Sequence, residues 1–180
     1  MRIGFIGLGN MATAIIGGML RENTVLGSSA TPLAASDIIG SAKTSATRDA
    51  KAAELGIAVT ASNRQVAEEA DVLVLAVKPL FFPEVIDEIR DVISDGTLVI
   101  SIAAGLTLSR IAELFGRDSD TMRLIRCMPN TPALVNAGCT AVCPGPGATA
   151  SDEAVCLDLM NSFGRAIVIP ERLMDAASAV

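Results

Sequence analysis

An α/β fold, with a mostly parallel sheet covered by helices on both faces, is predicted by three observations. Short apolar runs, Ile3-Gly4-Phe5-Ile6, Val72-Leu73-Val74-Leu75-Ala76-Val77 and Leu98-Val99-Ile100-Ser101-Ile102, lack polar alternation, as strands buried on both faces should. Between such runs apolar residues recur at helical spacing, as in Val85, Ile86, Ile89, Val92 and Ile93. The first run also passes through Gly7-x-Gly9-x-x-Ala12 straight into helix-forming sequence that reaches Leu20.

Composition bounds what such a fold does. At 180 residues the chain makes one full domain, and its net charge of −6 argues against a nucleic-acid partner. No apolar stretch reaches the roughly 18 residues of a membrane helix, so a cytoplasmic protein with no membrane partner is expected. Histidine, tyrosine and tryptophan are absent. No Ser-His or Cys-His pair, histidine metal site or tyrosine acid can therefore be built from this chain alone, and the chemistry must come from a cofactor or from elsewhere. Cys127, Cys139, Cys143 and Cys156 read as reduced, buried, small apolar residues, with no metal site.

In the glycine turn each small residue has a steric task. Gly7 allows a sharp bend, Gly9 lets backbone approach a pyrophosphate, and Ala12 permits close packing of helix on strand. N–H groups at the helix start would face the phosphates. This is the signature of a Rossmann-like, doubly wound sheet, although a glycine turn also serves plain strand-to-helix connections. A second strand is expected at Leu33-Ala34-Ala35, ending at Ser36-Asp37. There an acid would suit the ribose hydroxyls of NAD, whereas a hydroxyl with basic neighbours would suit the 2′-phosphate of NADP. Both chemistries are present, Ser36 beside Asp37 with Lys43, Arg48 and Lys51 following.

A helix over Lys43 to Leu55 stops at Gly56, and Ile57 to Thr60 forms a third strand. Ser62 and Gln65 have capping-box spacing for a helix through Glu69, with Asn63 at its entrance, placed to cap or to face a ligand. The strand from Asp71 ends in Lys78-Pro79, and a helix from Pro83 covers the sheet. Ala103-Ala104-Gly105 follows the next strand with almost no side chain, ahead of a helix from Thr107 to Phe115 closed by Gly116. Leu124 to Met128 is a strand that runs into Pro129-Asn130-Thr131-Pro132, a stiff polar loop fit for binding or for a structural turn. Thr140 to Cys143 is a strand, Ser151-Asp152-Glu153 starts a helix closed by Gly164, Ala166 to Ile169 is a last strand, and a helical segment begins at Leu173.

Four stretches together resemble one family, the pyrroline-5-carboxylate reductases, which make proline: Ile3 to Met11, Asp71 to Pro79, Val99 to Gly105, and Arg126-Cys127-Met128-Pro129-Asn130-Thr131-Pro132-Ala133. The resemblance implies an NADP site made by Ile6, Gly7, Leu8, Gly9, Asn10 and Met11 at the pyrophosphate, Ser36 at the 2′-phosphate and Asn63 near the adenosine. Ala76, Val77, Lys78, Pro79, Ile102, Ala103 and Ala104 would then line the ribose and nicotinamide, and Asn130 and Thr131 would orient nicotinamide or substrate. Asp37 departs from the pattern, because an inward carboxylate would repel a 2′-phosphate. The implied reaction is hydride transfer from NADPH, with NADH as a second donor, to the imine carbon of 1-pyrroline-5-carboxylate, with no catalytic side chain named. Residues 1–170 would be the dinucleotide-binding domain, and residues 171–180 the start of a truncated helical domain that supplies the substrate pocket and a homo-oligomer contact. The isolated chain is expected to be inactive. The alternatives are a related Rossmann hydroxy-acid dehydrogenase and a non-catalytic NADP-sensing module.

Overall fold

The computed structural model of the protein describes residues 1–177. Its strands are β1 (Ile3–Ile6), β2 (Ile38–Ser41), β3 (Ala58–Thr60), β4 (Val72–Leu75), β5 (Leu98–Ser101), β6 (Leu124–Pro129), β7 (Gly138–Pro144) and β8 (Gly164–Val168). They form one sheet in the order β3-β2-β1-β4-β5-β6-β7-β8. Every neighbouring pair is parallel except β6 with β7. The doubly wound, mostly parallel sheet expected from the sequence is thus the fold.

The helices are α1 (Asn10–Arg21), α2 (Ser45–Leu55), α3 (Asn63–Glu69), α4 (Phe82–Ile89), α5 (Leu108–Phe115), α6 (Ala150–Asn161) and α7 (Met174–Ala177). Successive strand residues point to opposite faces, so each central strand feeds two cores. Ile6, Leu73, Leu75 and Val99 meet Val66, Ile86 and Ile111 of α3, α4 and α5 on one face. Phe5, Val74 and Ile100 meet Ile15, Ile16, Leu159 and Met160 of α1 and α6 on the other. In α4, Phe82, Val85, Ile86 and Ile89 are buried on one side. Each such side chain contributes about 1.5–3 kcal/mol, against propensity differences of at most about 0.7 kcal/mol per residue, so packing rather than propensity holds this helix.

Most helix starts are capped locally. The hydroxyls of Thr44, Ser62, Thr107 and Thr149 each accept a first-turn N–H, and Gly56 and Gly116 end their helices in the left-handed region at φ 68° and 66°. Three sequence expectations shift. No strand forms at Leu33–Ala35; Ala35–Asp37 is a 3-10 turn, and the second strand is β2, three residues later. The cap of α6 is Thr149, ahead of Ser151, and Gly164 opens β8 instead of closing α6. Cys139 is exposed, whereas Cys127, Cys143 and Cys156 are buried as expected.

Two ion-paired residues tie distant segments to the sheet. Asp152, 2 % exposed, takes Arg123 Nε at 3.0 Å and the Thr149 N–H at 2.9 Å. Burial alone would raise its carboxyl pKa, but the Arg123 and Thr149 hydrogen bonds outweigh it and hold it below the usual 3.8. A depressed carboxyl stabilises the fold above its unfolded pKa, and that contribution is lost as pH falls through the folded value. Asp152→Asn is therefore expected to lower stability by about 2 kcal/mol at neutral pH, with the gap to wild type closing below pH 3.8, as read from urea midpoints across pH. The second residue is Arg126, the largest fully buried side chain. From β6 it pairs with Asp175 of α7 at 2.6 Å and with Glu171 at 3.5 Å. Glu171 also accepts the Leu108 N–H at 2.7 Å, joining the start of α5 to the same cluster.

Candidate functional site

The parallel register brings several strand ends to one rim. Ile6 lies opposite both Ser41 and Leu75, and Leu75 lies opposite Ser101. The ladder continues one residue further: Gly7 N–H donates to Ser41 O at 3.2 Å, Ala76 N–H to Ile6 O at 2.9 Å and Ile102 N–H to Leu75 O at 3.2 Å. The loops leaving β1, β4 and β5 are thereby fixed side by side, where ligands gather in open α/β sheets.

Within the first loop, Gly7 has φ +94°, and a Cβ there would stand 2.8 Å from Val77 Cγ1 and 2.9 Å from Ala76 O. Only glycine makes this bend. Leu8 turns inward and is buried at 3 % exposure, with its methyls over Gly40. Gly9 differs, because a Cβ there would meet nothing within 4 Å. Behind it the twelve residues of α1 begin with no capping side chain and no acid in the first turn. The first helical hydrogen bond is Thr13 N–H to Gly9 O at 3.0 Å, so the N–H groups of Asn10, Met11 and Ala12 precede it at the positive end of the helix. Open space before an uncapped helix start fits a diphosphate.

The other expected residues lie along the same rim, with one exception. Asn63 reaches the rim at the start of α3, where its Oδ1 accepts from Ser41 Oγ and its Nδ2 donates to Glu88 Oε2, both at 2.7 Å. Ser62, not Asn63, caps α3. Ala76 and Val77 are half-buried, and Lys78 and Pro79 are exposed. Ile102 is half-buried, Ala104 is exposed, and Ala103 is buried with its N–H on Ser101 Oγ at 3.3 Å. Asn130 and Thr131 follow β6 on the same side; Asn130 Oδ1 accepts the Cys139 N–H at 2.8 Å, which binds this loop to the start of β7. Asn130 also lines a cavity of about 190 Å³ with Met128, Cys139, Ala141, Ile167 and Ile169.

Ser36 is the exception, and its assignment to the 2′-phosphate is corrected here. Ile38 pairs with Ile3, so Ser36 precedes β2 at the opposite rim, where Arg2 Nη1 donates to its carbonyl. Asp37 accepts the Ala34 N–H at 2.9 Å and caps its own turn, far from any phosphate at the glycine loop. The true exit of β2 is Ala42-Lys43-Thr44. Lys43 is exposed there, the Arg48 guanidinium lies on the Ala42 and Lys43 carbonyls at 3.1 and 2.9 Å, and Lys51 is paired with Glu54. Ser41 and Glu88, which hold Asn63, carry no sequence signal. The Cys127 and Cys156 sulfurs lie 3.4 Å apart in the core, and burial pushes the Cys127 thiol well up, so both are packing groups. Among the described residues no cluster of His, Cys, Asp and Glu is arranged to hold a metal ion.

Residues 2–105 match the family described as NADP oxidoreductase coenzyme F420-dependent. The pyrroline-5-carboxylate reductase of Escherichia coli K12 is 40 % identical over 173 residues, 96 % of this chain and 60 % of the relative. A solved pyrroline-5-carboxylate reductase from Coxiella burnetii superposes with a TM-score of 0.89 at 31 % identity, over 99 % of this chain and 63 % of that one. The Plasmodium falciparum pyrroline carboxylate reductase, solved with NADP bound, superposes with a TM-score of 0.81 at 28 % identity, over 99 % of this chain and 61 % of that one. The chain thus spans about 60 % of the length of the relatives it matches. With the glycine turn and the rim in agreement with that family match, the chain belongs to the NADP oxidoreductase, coenzyme F420-dependent family.

Proposed function

We propose that this chain carries the cofactor half of a pyrroline-5-carboxylate reductase, holding NADPH along the rim for the reduction of 1-pyrroline-5-carboxylate to L-proline. The observation that carries the reading is the uncapped start of α1 behind open space at Gly9. Ile6 to Met11 bind the pyrophosphate through backbone N–H groups. Asn63 stands at the adenosine, Ala76 to Pro79 and Ile102 to Ala104 line the ribose and nicotinamide, and Asn130 and Thr131 orient the ring or the substrate. The β2 exit offers Lys43 and no acid, which favours a 2′-phosphate over bare ribose hydroxyls and so NADPH over NADH.

When bound, the cofactor supplies the hydride. The chain's own residues bind, orient and exclude water, and such positioning can lower a barrier by about 7–11 kcal/mol. A protonated cyclic imine is already electrophilic, so no histidine or tyrosine acid is required of this half, which has neither. In the whole protein, residues 1–170 are the dinucleotide unit, and the stretch from 171 onward leads to a helical part that completes the substrate pocket and a homo-oligomer. The setting is the cytoplasm; no described helix is long and apolar enough to cross a membrane.

Fluorescence titration of this chain is expected to show NADPH binding tighter than NADH, and the whole protein is expected to oxidise NADPH with pyrroline-5-carboxylate. Binding of neither nucleotide overturns the reading. Tight binding without turnover by the whole protein points instead to an NADP-sensing module.

A further inference from the structure

We infer that Arg48 is a positioning residue for donor choice: it holds the turn after β2 with two peptide N–H groups facing outward, toward an adenosine 2′-phosphate. The inference rests on the dinucleotide reading above and deepens it. Arg48 lies in the first turn of α2, where a cation opposes the helix dipole and where no acidic side chain offsets it. Its half-buried guanidinium folds back so that Nη1 donates to the carbonyls of both Ala42, at 3.1 Å, and Lys43, at 2.9 Å.

Those two carbonyls determine where the next two amides point. In a planar trans peptide the C=O and the following N–H are antiparallel, so fixing Ala42 O and Lys43 O on Arg48 aims Lys43 N–H and Thr44 N–H the other way. Ala42 N–H is still in the ladder, on Thr60 O at 3.2 Å, which anchors the turn on its other side. Lys43 N–H and Thr44 N–H have no hydrogen-bond partner among the described residues, and both residues are exposed. The two outward N–H groups offer an anion two adjacent donors, and the Lys43 side chain is exposed beside them. The guanidinium also neutralises the two carbonyl oxygens, which would otherwise repel a phosphate. Arg48 thus acts through the backbone, without touching the ligand.

The test compares binding of 2′,5′-ADP and 5′-AMP by the intact chain, for wild type, Arg48→Gln and Arg48→Lys, with amide NMR of Lys43 and Thr44. Wild type is expected to favour 2′,5′-ADP by about tenfold or more, with both amides shifting on binding, the scale of one charge-assisted hydrogen bond. Arg48→Gln should lose most of that preference and the amide shifts while keeping 5′-AMP affinity and thermal midpoint, and Arg48→Lys should recover part of it. A preference retained in Arg48→Gln overturns the role of Arg48 and leaves the dinucleotide reading standing. Wild type that binds neither nucleotide overturns both, and an equal loss for the two nucleotides shows a merely structural arginine and overturns the inference.

Discussion

Gly9→Val is expected to yield a folded protein whose dinucleotide affinity has dropped by about 100-fold or more. The fold should tolerate the change, since a Cβ at Gly9 meets nothing within 4 Å and the backbone there, φ −78° and ψ −175°, is extended and open to any residue. The isopropyl group would instead occupy the approach to the first N–H groups of α1. Displacing two or three hydrogen bonds to a charged phosphate, each worth about 1.5–3 kcal/mol, corresponds to two or more powers of ten in affinity. Gly7→Ala should behave in the opposite way. Its positive φ and its 2.9 Å approach to Ala76 O place the strain in the fold itself, so stability falls with or without nucleotide. Thermal melts with and without NADPH separate the two variants. Undiminished NADPH affinity in a folded Gly9→Val chain would show that this turn does not hold the phosphates.

Arg126→Ala is expected to cost about 3 kcal/mol of stability and to release the last helix from the sheet. Breaking a buried ion pair typically costs about 3–5 kcal/mol, much of it from the charge left behind. Here the remaining carboxylates can return to water, because the Glu171 and Asp175 side chains are 33 % and 78 % exposed against 1 % for Arg126. The loss should therefore sit at the lower end and come chiefly from the emptied volume under α7. Arg126→Met, which refills that volume, should recover about half of it, whereas a charge-dominated cost would not be recovered. Chemical denaturation measures the first effect, and tryptic cleavage after Arg172 reports the second. An Arg126→Ala chain as stable and as protease-resistant as wild type would contradict both.

The central strands were legible because burial on two faces leaves an unbroken apolar run, as in β4 and β5. The second strand was not, and the reason is specific. Ile38-Ile39-Gly40-Ser41 contains a glycine that reads as a break, yet Gly40 is there to admit Leu8, whose Cδ2 would lie 2.7 Å from a Cβ at that position. A contact with the glycine loop, some thirty residues upstream, thus disguised the strand and moved the expected phosphate contact to Ser36, on the wrong side of the sheet. Arg126 was hidden for a related reason. Nothing within Leu124 to Met128 marks it as buried, because the carboxylates that allow its burial arrive only at Glu171 and Asp175. The glycine turn, by contrast, states its geometry locally: β1 ends at Ile6 and α1 begins at Asn10, as a strand-turn-helix motif requires.

The reversal of β7 relative to β6 has a practical bearing. Since β7 and β8 both run away from the glycine loop, the chain leaves β8 on the far side and doubles back: Glu171 reaches Arg126, and Ala177 arrives at the cavity walled by Asn130 and Cys139. A solvatochromic dye coupled at residue 177 would therefore hover beside the Asn130 loop, tens of residues away in sequence, and its emission would test whether a nucleotide reaches that loop.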